Sequence, residues 1–260
     1  MDSIVTKTAL FLFLWVPLAS TAGSFNVNPI RLEFDPSTKT ATLKVTNEDA
    51  EKVTVQLEAK AWSQDVKGSD QYADTEDLIF FPKIVDIEAG NERLVRVGYT
   101  GPSVGNQEKT YRLFVQELPV SKAGEVAMKF AIRMGIPVFV QVKTPQKTPV
   151  ITNAEVKNGA VLVTMGNKGN SHYVVDKIAA KGINAKGETV FSHDTGGWYV
   201  LAGQQHIFPV NIPPAECVKA ASVAIEVKVD KQTLTKTIDV SPVLCQPEPK
   251  SSPLEKTKGR

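Results

Sequence analysis

Val126-Ala-Met-Lys-Phe-Ala-Ile-Arg-Met-Gly-Ile-Pro-Val-Phe-Val-Gln-Val142 carries apolar side chains at nine consecutive alternate positions. A period of two belongs to a strand, whose successive side chains leave opposite faces, and not to a helix. At about 3.3 Å per residue the stretch would extend about 55 Å, far more than the three to ten residues usual for one strand. Two readings follow. In one, strands 126–134 and 136–142 are broken by a bend at Gly135 and Pro137, and every apolar residue faces a core. In the other, part of the row lies at an unpaired sheet edge, ready to be added to another protein's sheet.

The alternation recurs on both sides of this stretch. Val53, Val55, Leu57, Ala59 and Ala61 alternate with Lys52, Thr54, Gln56, Glu58 and Lys60. Ala41, Leu43 and Val45 do so earlier, and Val223, Ile225, Val227 and Val229 later. Turn signals punctuate the runs at Asn158-Gly159, Lys186-Gly187 and Asp230-Lys231. No long run has helical spacing with caps, so the class is all-β. The polar segment Lys143–Pro149 holds two prolines near the middle of the chain. Proline cannot donate to a sheet ladder, so this segment reads as a linker. The expected organisation is a first domain at 24–143, a second at 149–245, and a polar, proline-rich tail at 246–260.

Composition bounds the partners. Lys plus Arg number 30 against 28 Asp plus Glu, a net charge of +2. That is too little to make nucleic acid or an anionic membrane the expected partner. Residues 1–22 combine Lys7, an apolar run at 9–19 and small residues at Ser20 and Ala22. The run is too short to span a bilayer, so it reads as a cleavable secretory signal, and membrane insertion is not expected. Export permits a disulfide between Cys217 and Cys245, worth roughly 3–4 kcal/mol by loop entropy, with two free buried thiols as the alternative.

Catalytic and metal chemistry find little support. His172, His193 and His206 match no metal-ligand spacing and are expected as ordinary surface or turn histidines. Gly166-Asn-Lys-Gly-Asn-Ser171 lacks a phosphate loop's ending and reads as a turn. The acidic segment with Asp65, Asp70, Asp74, Glu76 and Asp77 has no EF-hand spacing and reads as a solvated loop. No catalytic residue, metal site or cofactor is expected, and the protein is not read as an enzyme.

Four motifs carry a family resemblance. They are Asn28-Pro-Ile-Arg-Leu-Glu-Phe34; Phe81-Pro82 followed by Ile87–Gly90 and Leu94-Val-Arg-Val97; Tyr111–Pro119; and Val126–Val142 itself. In this order they resemble the periplasmic pilus (fimbrial) chaperones of the chaperone–usher pathway, in a divergent branch. The resemblance implies two immunoglobulin-like β-sandwich domains arranged at an angle, residence in the periplasm, and pilus subunits and an outer-membrane usher as partners. It implies donor-strand complementation, with Val126, Met128, Phe130, Ile132 and Met134 as the donor strand.

It also implies a basic anchor for the subunit's C-terminal carboxylate, with Arg31 matching the first-strand position. The family's second anchor, a lysine, falls at Pro137, which cannot bind an anion. Arg112 and then Arg133 are the replacement candidates. Self-association of the free protein through the same edge stays open, as does the rival reading of a secreted two-domain pilus subunit or surface adhesin.

Overall fold

A computed structural model describes residues 25–118 and 131–245. The signal segment, the tail, and Val126, Met128 and Phe130 of the donor row lie outside the described residues. The first ten strands are β1 (Phe25–Asn28), β2 (Leu32–Phe34), β3 (Thr40–Asn47), β4 (Val53–Gln64), β5 (Asp70–Asp74), β6 (Leu78–Phe81), β7 (Ile84–Ile87), β8 (Glu92–Tyr99), β9 (Lys109–Glu117) and β10 (Arg133–Val140). They form two sheets, β1-β3-β8-β6 and β2-β10-β9-β4-β5, with β7 added to β4. Between the sheets lies one core, built by Leu43, Val45, Val55, Leu57, Val95, Leu113, Val115 and Val138 among others.

The second set is β11 (Pro149–Lys157), β12 (Ala160–Asn167), β13 (Tyr173–Ile183), β14 (Thr189–Gly196), β15 (Tyr199–Val200), β16 (Gln205–Asn211), β17 (Ser222–Val229) and β18 (Gln232–Asp239). Its sheets are β11-β12-β16 and β14-β13-β17-β18, with β15 on β13. A separate core contains Val161, Met165, Tyr173, Ile178, Val223, Ile225 and Val227. The fold is therefore two β-sandwich domains. At the β11–β12 hairpin, Asn158 and Gly159 take φ of 53° and 75°, the left-handed pair that a two-residue turn requires. Cys217 and Cys245 are bonded to each other beside the second core, with Cα atoms 5.6 Å apart.

Several details differ from the sequence reading. The opening motif is two strands, because the chain crosses between sheets at Pro29: β1 pairs with β3 and β2 with β10. The bend that one of the two readings places at Gly135 and Pro137 is absent, and β10 pairs with β9 without a register shift from Arg133 to Val140. The linker is strapped down rather than free. Lys168 donates to Thr148 O at 3.0 Å, and Asn170 to Gln146 O at 2.9 Å. The Gly-rich turn at 166–171 thus holds the interdomain segment.

The acidic segment is solvated along most of its length but is not all loop, because Asp70–Asp74 form β5. Asp65 closes the β4–β5 turn through the amides of Lys67 and Ser69, and that turn docks on the second domain. Gln205 Nε2 donates to Val66 O at 2.9 Å. Gly68, at φ +88°, approaches so closely that a Cβ there would lie 2.5 Å from His206 Cα.

The domain interface explains the burial that strict alternation leaves unexplained. Val53, Val55 and Leu57 are buried on the core face of β4, yet Trp62 and Gln64 are buried on the opposite face. Trp62 and Phe139 pack with Leu201 and Tyr199 of the second domain. Gln64 Nε2 donates to Tyr199 O at 2.9 Å, and Gln64 Oε1 accepts from Leu201 N at 3.0 Å. His172 is not a surface histidine: it stacks on Phe139 with ring centroids 3.5 Å apart. Its Nδ1 and amide both bond the buried Glu108 carboxylate, at 2.9 and 2.6 Å.

Candidate functional site

The site grows from one strand. β10 pairs with β9 along its whole length but with β2 only at Val138–Val140. Among the described residues, Arg133 to Pro137 are therefore paired on one side and open on the other. The hydrogen bonds fix which groups face the opening. Ile132 C=O accepts from Glu117 N–H on the β9 side at 2.9 Å, and Gln141 N–H donates to Phe34 O on the β2 side at 2.8 Å. Backbone polar groups alternate sides along a strand, so those of Arg133 and Gly135, with the Pro137 carbonyl, point to the opening. Pro137 has no N–H to leave unpaired, which is why the strand passes through it unbroken. The even-numbered side chains face inward, and Ile132 and Met134 lie half-buried against the first domain's core.

The outward face of the same sheet carries charge. Pro137 sits opposite Arg112, Arg112 opposite Lys60, and Lys60 opposite Asp74, a row running straight across the strands. Arg31 precedes Leu32, the partner of Val138, and so stands at the edge end of that row. Lys60 was not expected from the sequence, where it read only as a polar member of an alternating strand. Its ammonium donates hydrogen bonds to Asp74, at 2.7 Å, and to Glu58, and these raise its pKa above the usual lysine value.

The three arginines differ sharply in setting. Arg31 is half-exposed and pairs with Glu33 at 2.8 Å. Arg133 lies over the Phe114 ring at 3.9 Å and pairs with Glu58 at 3.0 Å. Arg112 is buried, only 4% exposed, with its guanidinium carbon 3.8 Å from the Trp62 ring centroid and near Trp198 and Tyr199. Burial lowers its pKa, and Tyr72 and Asp70 work against that shift. Stacking on an aromatic face is a setting a guanidinium tolerates better than an ammonium does. The signal for this cage was present in Trp62, Tyr72 and Trp198, but nothing in their spacing shows that they converge.

Among the described residues no group of His, Cys, Asp and Glu side chains could hold a metal ion. What the site offers is a sheet edge, an apolar row beside it and a band of cations across the sheet.

Comparison with known proteins gives the family and the fold. Residues 24–145 match the family model of pili and flagellar-assembly chaperones, PapD N-terminal domain. No curated protein matches the sequence. Among solved structures, the chain is similar to one in the CsuC–CsuE chaperone–tip adhesion subunit pre-assembly complex, from archaic chaperone–usher Csu pili of Acinetobacter baumannii. There the identity is 18% and the TM-score 0.56, covering 83% of this chain and 98% of that one. It is also similar to the YadV chaperone, at 12% identity and TM-score 0.56, covering 83% and 99%. A chain of the Salmonella enterica SafA pilin–SafB chaperone complex follows at 16% and 0.53, covering 83% and 96%. At these identities the likeness is one of fold.

Proposed function

Since residues 24–145 belong to the pilus-assembly chaperone family through its N-terminal domain, we propose that this protein captures pilus subunits in the periplasm by donating a strand to their sheets. It then passes them to an outer-membrane usher. Removal of residues 1–22 on export places it in that compartment.

The observation that carries the reading is the one-sided pairing of Arg133 to Pro137, directly after the apolar row. A subunit strand laid on this edge would take up the open backbone groups of Arg133 and Gly135. The row from Val126 to Met134 would fill the gap in the subunit's core. Four such side chains offer roughly 6–12 kcal/mol gross, while association costs about 4–15 kcal/mol. Main-chain bonds and a charge contact are therefore needed, and the cations of Arg31 and Arg112, with Arg133 nearby, supply the charge for a terminal carboxylate. Pro137, which has no N–H, sets the end of the added strand at the point where β2 begins.

The test is co-purification from periplasm with the subunits encoded beside the gene. The wild type should yield a one-to-one complex, and Phe130→Asp should yield none while still folding. Arg31→Ala should weaken capture without lowering the melting temperature of the free protein. Retention of the wild type on surface fibres, with no soluble complex, would point to a fibre component instead.

A further inference from the structure

One outward group of the open edge is already occupied. Arg112 Nη1 donates to Gly135 O at 3.1 Å. Arg112 stands one strand in from the edge, so its side chain must cross the outer face of β10 to reach that carbonyl. The arginine passes directly over Gly135: a Cβ there would lie in ordinary contact with Arg112 Cδ at 3.8 Å, and more tightly against Phe114 Cε1 at 3.0 Å. The backbone group that an incoming strand needs is thus covered by the protein's own cation. A charge laid onto a sheet edge is a recognised way of stopping unwanted strand pairing.

The guanidinium is also short of partners. Its Nε is buried and has no hydrogen-bond acceptor among the described residues. Asp70, the carboxylate paired with it, stands at 3.9 Å, beyond hydrogen-bond reach. Asp70 is already engaged by Trp198 Nε1 at 3.3 Å and Tyr72 OH at 3.3 Å. A buried cation without a full set of acceptors is costly, so a carboxylate brought alongside would be bound strongly and in fork geometry.

The geometry points to Arg112 as a displaceable cap on the strand-donating edge, leaving Gly135 C=O when a strand delivers a carboxylate and staying on it otherwise. The inference rests on the strand-donation reading above. It turns the arginine from an anchor into a selector: an extended apolar strand ending in a free carboxylate opens the edge, and the same strand without that charge meets a closed one. The cap also ties edge occupancy to the domain interface, because the guanidinium that moves is the one stacked on Trp62 beside Trp198.

Two peptides test this on the exported full chain: an alternating Val-Thr nonamer with a free C-terminus, and the same nonamer amidated. Trp62 and Trp198 are the tryptophans beyond the signal segment, so emission reports directly on the cage. Wild type should bind the free-acid peptide about tenfold or more tighter than the amide, with a change in emission. Arg112→Met and Arg112→Leu, which have no donor for Gly135 C=O, should both bind the amidated peptide more tightly than wild type does, because the cap is gone. Using both variants guards against one failing to fold.

A plain anchor would leave amide binding unchanged, and a purely structural residue would weaken both peptides; either result overturns the cap. Equal binding of both peptides by wild type overturns it too, while leaving strand donation standing. Binding of neither peptide by any form would bring down the strand-donation reading, and the cap with it.

Discussion

The two domains end their sheets in different ways. β18 closes the second domain with Thr233, Thr235 and Thr237 outward and Lys236 turned inward between Leu234 and Ile238, opposite Ile225. A charge on the buried face of an edge strand makes pairing with another sheet unfavourable at all times. The open part of β10 has no such fixed guard: its inward residues are Met134 and Ile136, following Ile132, and on the cap proposal its guard is Arg112 on the next strand. A permanent guard suits an edge that is never used. A removable one suits an edge kept for a partner.

That contrast can be broken most directly by matched substitutions. Ile132→Asp puts an unpaired carboxylate into the row proposed for donation, so capture of pilus subunits should fall by about a thousandfold or more. Thr235→Asp, the parallel change on β18, should leave capture within about twofold of wild type. Equal losses in a pull-down titration would erase the distinction between the edges.

The interface beside β10 comes next. Trp62→Ala removes a buried ring packed on Phe139 and Tyr199, and unfolding free energy in urea should drop by about 3–5 kcal/mol. Separate melting of the two domains is then expected by calorimetry.

Cys245→Ser opens a loop of sequence separation 28 and should cost about 3–4 kcal/mol. This loss belongs to the second domain, so subunit capture below its melting temperature should persist. Loss of capture at 25 °C would show that the β10 edge depends on the second core as well.

The smallest effect concerns pH. Burial lowers the His206 pKa from its ordinary value, with Asp70 and Asp65 pulling weakly the other way. The unfolded chain therefore binds a proton more readily than the folded one. Stability from this residue is complete above about pH 6.5 and is lost as pH falls from there towards the lower folded value. Melting curves at pH 7.5 and 5.5 should show a smaller decrease for His206→Gln than for wild type.

How far the sequence could be read depends on which face of a strand is in question. Alternation in Val53–Ala61 and Val126–Val142 gives the strand class and the residues sharing a face, because side chains leave a strand with period two. It also marks Arg112 as an outward residue of β9. It does not say what lies above that outward face. Trp62, Gln64 and Phe139 lie on the strand faces turned away from the first core, and they are buried only because a second domain with Tyr199 and Leu201 covers them. His172 read as a surface residue for the same reason.

The sequence by itself therefore determined the all-β class and the over-long apolar row with Pro137 inside it, since each depends on local chemistry and a fixed period. Tertiary structure alone decided that Arg112 sits in an aromatic cage and reaches Gly135, because residues far apart in the chain, on β4, β9, β10 and the Trp198–Tyr199 segment, meet only once both sandwiches have closed and docked.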